Sequence, residues 1–88
     1  MNRDSLREIL RSADVHPSLY SLDGPAPESE SYSLVAGGDQ WRVLYKERGE
    51  YTEIASALSE SEACDLMFRL LDQALGLSGG SPRAPANA

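Results

Sequence analysis

The stretch Gln40–Glu50, Q-W-R-V-L-Y-K-E-R-G-E, decides the fold. Large apolar residues alternate with polar ones, so an extended strand puts Trp41, Val43 and Tyr45 on one face and Arg42, Leu44 and Lys46 on the other. The first set must face the core, because the second would bury two charges. The stretch ends in a turn, with Gly49 at the natural left-handed position.

Strands are expected on both sides of it. Upstream, Gly37-Gly38-Asp39 reads as a tight hairpin turn. Residues 31–36, S-Y-S-L-V-A, then place Tyr32, Leu34 and Ala36 on the core side and Ser31, Ser33 and Val35 on the other. Closing this hairpin on Gly37-Gly38 sets Leu34 beside Trp41; closing it on Gly38-Asp39 keeps the same faces. Downstream, residues 51–56 read Y-T-E-I-A-S. A four-residue loop at 47–50 sets Lys46 opposite Tyr51, Tyr45 opposite Thr52 and Val43 opposite Ile54. A closure tighter by one residue would put Glu53 inside, so the longer loop is the better register.

Helices are expected at both ends. Over residues 3–13, Leu6, Ile9, Leu10 and Ala13 follow the helical period, with Asn2 or Asp4 as cap. Arg3, Arg7 and Arg11 lie on another face, interleaved with Asp4 and Glu8, which reads as a solvated face rather than a phosphate site. His16-Pro17 ends this helix, and Leu19, Tyr20 and Leu22 form a short apolar run packed on the core. Ser59-Glu60-Ser61-Glu62 has the capping-box pattern. The helix that follows runs to about Leu75, buries Ala63, Leu66, Met67, Leu70, Leu71 and Ala74, and stops at Gly76. The expected fold is therefore α+β, in the order α-β-β-β-α: a three-stranded antiparallel meander with both helices on one face. Residues 1–77 form the domain. Residues 78–88, S-G-G-S-P-R-A-P-A-N-A, are expected to be a disordered tail.

The 88 residues make one small domain with a thin core, and the net charge is −6. That charge argues against nucleic acid, whose binders need a basic stripe, and equally against anionic membranes. No stretch approaches a membrane span and no apolar leader follows the N-terminus, which fits a reducing, cytoplasmic setting. The single cysteine, Cys64, continues an apolar helical pattern and reads as a small buried hydrophobe. His16 reads as an exposed loop residue. One histidine and one cysteine cannot supply a zinc site, the serines and acids imply no catalytic arrangement, and the short Gly pairs are wrongly placed for a phosphate loop. The chain is expected to be non-enzymatic, with no cofactor and no metal.

What remains is charge placement. From residue 47 to residue 65 there are six acids, Glu47, Glu50, Glu53, Glu60, Glu62 and Asp65, and one base, Arg48. Acids in a helix's first turn complement its dipole, and charge on an edge strand deters aggregation. The same run also suits a cationic protein partner. The outward sheet face around Leu44 and Tyr51 is the second candidate surface.

The order of short motifs carries a resemblance. Tyr20–Gly24 reads Y-S-L-D-G, Tyr32–Leu34 Y-S-L, Trp41–Gly49 W-R-V-L-Y-K-E-R-G, and Ser59–Leu71 S-E-S-E-A-C-D-L-M-F-R-L-L. Together they resemble the small immunity proteins encoded beside secreted bacterial polymorphic toxins, over roughly residues 4–75. The departure is at Ala55–Leu58, where the resemblance implies a bulkier, more charged strand end. It implies an antitoxin that binds a cognate toxin domain as a one-to-one complex and blocks its active site. The toxin would be basic, with nuclease, NAD-consuming and base-modifying activities all open. The alternative is an adaptor that binds a peptide or subunit through a sheet edge or the outward sheet face.

Overall fold

A computed structural model describes residues 1–77 of the chain; the tail expected from Ser78 onward lies outside them. The elements are helix α1 (Arg3–Ser12), strands β1 (Tyr20–Ser21), β2 (Ser31–Gly37), β3 (Gln40–Glu47) and β4 (Glu50–Ala57), and helix α2 (Glu60–Leu75). The class is α+β, as the patterning predicts, but the sheet has four strands in the order β1-β2-β3-β4. The added strand, β1, pairs parallel to β2 through Tyr20–Tyr32 and Ser21–Ser33.

Both hairpins close on two residues. In the first, Gly37 pairs with Gln40, Leu34 with Val43 and Tyr32 with Tyr45, so the turn is Gly38-Asp39. In the second, Glu47 pairs with Glu50 and Lys46 with Tyr51. The register is the expected one, but pairing extends one step further than a four-residue loop allows. Arg48 and Gly49 both have positive φ, 54° and 83°, which is the geometry of the tightest right-twisting hairpin and which glycine adopts without steric cost.

The far half of β4 departs from simple alternation. Leu44 pairs with Glu53, yet Val43 pairs with Ala55 and Trp41 with Ala57. Ile54 is the extra residue of a bulge, so Val43 does not meet Ile54. Ile54 stays 40% exposed, while Ala55 and Ala57 pack on the core. The physical reason is room: α2 lies over β2, β3 and β4, and small side chains let the helix sit close to the strand beneath it. The run at Ala55–Leu58, lighter than the resemblance implies, thus continues the strand to Ala57.

One continuous core joins Leu6 and Leu10 of α1, Val15, Leu22, Leu34 and Val43 of the sheet side, and Ala63, Cys64, Met67 and Leu71 of α2. α1 reaches this core by packing on α2. Its inward face is narrower than predicted: Ile9 is 38% exposed and Ala13 is exposed, and Val15 is buried instead. Trp41 also differs from expectation, for it is partly buried at the rim of the core, with the Arg3 guanidinium 5.4 Å above its ring. Capping follows the sequence. The Asn2 and Ser59 side chains accept from the N–H groups of Ser5 and Glu62, and Gly76 ends α2 in the left-handed region.

The sheet face expected to be open is partly roofed by the segment between Gly24 and Glu30. Ser31 and Ser33 are fully buried. The Ala26 N–H donates to Ser33 Oγ (2.8 Å), the Ser31 hydroxyl to the Glu28 carbonyl (2.6 Å) and Lys46 Nζ to the Pro27 carbonyl (2.7 Å). The Tyr51 hydroxyl reaches across to the Ala26 carbonyl. Both serine hydroxyls find a partner in this roof, which is what makes burying them tolerable.

Candidate functional site

The six acids between residues 47 and 65 do not form one uniform surface. Glu47 and Glu50 are exposed and directly opposite one another at the tip of the β3–β4 hairpin. Neither has an ion-pair partner among the described residues. Glu53 lies one residue before the bulge, on the roofed face, and accepts from Arg42 Nε at 3.0 Å. Glu60 faces α1: its carboxylate accepts from the Arg3 backbone N–H at 2.9 Å and from Arg3 Nε at 3.4 Å. That backbone hydrogen bond, aided by the Arg3 charge, holds the Glu60 carboxyl below the usual glutamate range. Glu62 is exposed and completes the capping box with Ser59. Asp65 accepts from the amino group of Met1 at 3.1 Å and stays half exposed.

The other two candidate residues belong partly to the scaffold. Tyr51 is 42% exposed, but its hydroxyl is committed to the roof and Lys46 Nζ lies 5.1 Å from its ring. Leu44 is half-buried beside it. The Leu44–Tyr51 surface is therefore narrower than the alternation of strand residues implies.

The arginines of α1 do more than solvate a helix. Arg3 and Arg7 both reach Asp23, at 3.1 Å and 3.0 Å, and Arg3 also reaches Glu60. Asp23, in the Y-S-L-D-G segment, thus joins α1 to the start of the roof. Arg7 and Arg11 pair in addition with Asp4 and Glu8 one turn earlier. A cleft of about 740 Å3 lies beside them, bordered by Arg7, Arg11, His16 and Glu28. His16 is exposed and its Nδ1 accepts from the Ser18 N–H, capping the short turn Pro17–Leu19. The cleft's two arginines are thus paired with neighbouring carboxylates rather than converging on a common point.

Cys64 is fully buried within α2 and burial pushes its thiol up from the ordinary range. Burial, followed by a hydrogen bond to Glu30, does the same for the Tyr45 hydroxyl. Neither shift creates a nucleophile, since each stabilises the protonated form. Among the described residues no three His, Cys, Asp or Glu side chains come together as a metal site, and no helix is long and apolar enough to cross a membrane.

Sequence reasoning missed the apolar side chains on the free edge. β4 is the last strand of the sheet and has only β3 beside it. Ile54 is 40% exposed and Leu58, just beyond the strand, 75%. The signal for Leu58 was available, as an apolar residue directly before a helix cap; the signal for Ile54 was hidden by the bulge. No family model, curated protein or solved structure matches the chain.

Proposed function

We propose that this chain is an immunity protein: a non-enzymatic antitoxin that binds a cationic toxin domain one-to-one in the cytoplasm and occludes its active site. The observation that carries the reading is the Glu47–Glu50 pair. Like charges directly opposite across a hairpin destabilise it, and this pair sits at an exposed tip with no neutralising ion pair among the described residues. Charge at the start of an edge strand deters aggregation, but two carboxylates facing each other cost the free hairpin stability. A cationic cleft would neutralise both carboxylates at once.

The chemistry of the three toxin classes is compatible with such a cleft. Nucleases and nucleobase-modifying enzymes hold a nucleic-acid backbone, and NAD-consuming enzymes hold a dinucleotide, so all three handle phosphates and favour positive charge. Carboxylates placed where phosphates would lie can exclude substrate without any turnover by the inhibitor. The motif order from Tyr20 to Leu71 supports the same reading, as does the overall charge of −6, which speeds encounter with a cationic partner.

The test is co-expression with the toxin domain encoded beside this chain. Restored growth and a one-to-one complex on gel filtration are expected, and Glu47→Lys with Glu50→Lys should abolish the protection. Cells that still die in the presence of abundant, folded protein would sink the reading.

A further inference from the structure

We infer that β4 is a docking edge: it takes up one extended, lysine- or arginine-bearing strand of the partner, in the manner of a strand added to the sheet. This rests on the immunity reading for the identity of the partner, and on separate observations for the place and mode of contact.

β4 presents eight residues, Glu50–Ala57, with a neighbour on one side only, an edge about 25 Å long at ordinary strand rise. Edge strands left open in this way are templates for another chain, and proteins blunt them with bulges, charges or cover. This edge has a bulge and acids, yet it also carries exposed apolar side chains: Tyr51, Ile54 and Leu58 are three of the five large hydrophobics exposed among the described residues. The bulge turns Ile54 out of the core. Among the described residues no further strand pairs with this side, whereas the other end of the sheet finishes in the short β1.

At the far end of β4 a groove of about 410 Å3 opens between the strand and α2, bordered by Ala57, Leu58, Glu62, Asp65 and Leu66, with Arg69 beyond. Side chains alternate along an added strand, so alternate residues at the end of the incoming segment beside residues 56–58 would point toward this groove. Leu58 and Leu66 offer an apolar seat there, and Glu62 a carboxylate. Glu47 and Glu50 stand at the opposite end, at the hairpin tip. An apolar edge with acids at both ends selects a strand that alternates apolar and basic residues. A second copy of this chain is the poorer occupant, because it would bring one acidic edge against another at −6 per chain. An exposed strand also gives affinity through main-chain hydrogen bonds that do not depend on the exact sequence of the partner.

The experiment uses the full chain and a soluble peptide of alternating lysine and valine, about ten residues long, with a glutamate–valine peptide of equal length as control. Amide exchange read by NMR should slow at the outward amides of residues 51–58 with the lysine–valine peptide and not with the control. Leu58→Lys, an exposed position whose change leaves the core untouched, should weaken binding about tenfold or more, the scale of one lost apolar contact. Protection confined to residues outside β4, unchanged affinity in Leu58→Lys, or no binding of the lysine–valine peptide would each overturn the docking edge. So would a dimer of the free protein that Leu58→Lys dissociates, since a second copy would then own the edge. Rescue of growth that depends on Glu47 and Glu50 would survive any of these results, so failure of the edge and failure of the immunity reading are separable.

Discussion

Glu60 and Cys64, one turn apart on α2, use burial and hydrogen bonding in opposite senses. Glu60 is held ionised, first by the backbone N–H of Arg3 and then by the Arg3 charge. Its folded-state pKa lies below the unfolded one, so its contribution to stability is fully present above the ordinary glutamate range. That contribution is lost as pH falls through the depressed folded value. Glu60→Gln should therefore lower the Tm at pH 7, and the gap to the parent should narrow as the pH falls below the ordinary glutamate pKa of about 4.3. A gap that persists undiminished at low pH would mean that the side chain acts by packing rather than by charge. Cys64 is held protonated by burial. A thiol reagent should react with it slowly in native buffer and fast in denaturant; rapid native labelling would show that α2 opens from the sheet. The inertness of Cys64 was legible from its place in an apolar helical pattern. The tie between Glu60 and Arg3 was not, because the two residues are 57 positions apart and only the packing of α1 on α2 joins them.

Among the elements, the helices were the most legible, since caps and stop agree: Asn2, Ser59 and Gly76 sit where their chemistry requires, although Ile9, Ala13 and Ala74, expected on the buried faces, are exposed. The strands were legible in their faces and less so in their details. A bulge adds one residue without disturbing local composition, so Ile54 looked like the core residue of its strand, opposite Val43, and Ala57 fell beyond the strand's expected end. β1 is two residues long, too short for any period to register. The roof from Gly24 to Glu30 was hidden for another reason: its bonds to Ser31, Ser33, Lys46 and Tyr51 join residues that carry no mutual signal in sequence. It is the element that decides how much of the sheet is available, and it can be tested through Tyr51. Tyr51→Phe removes the hydroxyl that donates to the Ala26 carbonyl and keeps the ring, so it should cost about 0.5–1.5 kcal/mol. Amide exchange should rise at Ala26, whose N–H is held by Ser33. Unchanged exchange there, with unchanged stability, would mean that the two serines hold the roof alone.

At the scale of the molecule, the six acids from Glu47 to Asp65 divide between structure and surface. Glu60 secures α1, Glu53 pairs with Arg42, Glu62 completes the capping box with Ser59, and Asp65 pairs with the chain's amino group. Glu47 and Glu50 are left at the tip, facing each other. That the run was acidic was plain from sequence; which of its members are held by cations depends on Arg3, Arg42 and Met1, brought in by the fold. The division yields a prediction that separates a working surface from a merely solvated one. Replacing Glu47 and Glu50 by glutamine should stabilise the free protein, by on the order of 0.5 kcal/mol, because it removes a like-charge cross-strand pair. The same change should slow association with a toxin domain of the proposed cationic kind and flatten its dependence on salt, since rim charges act mainly through the encounter rate. Thermal melts of the free chain and stopped-flow association across a salt series measure the two effects independently. A more stable variant that associates more slowly means that the tip trades its own stability for its partner. A more stable variant that associates unchanged at low salt would leave the tip as an ordinary solvated turn and move the interface to the apolar positions of β4, Ile54 and Leu58.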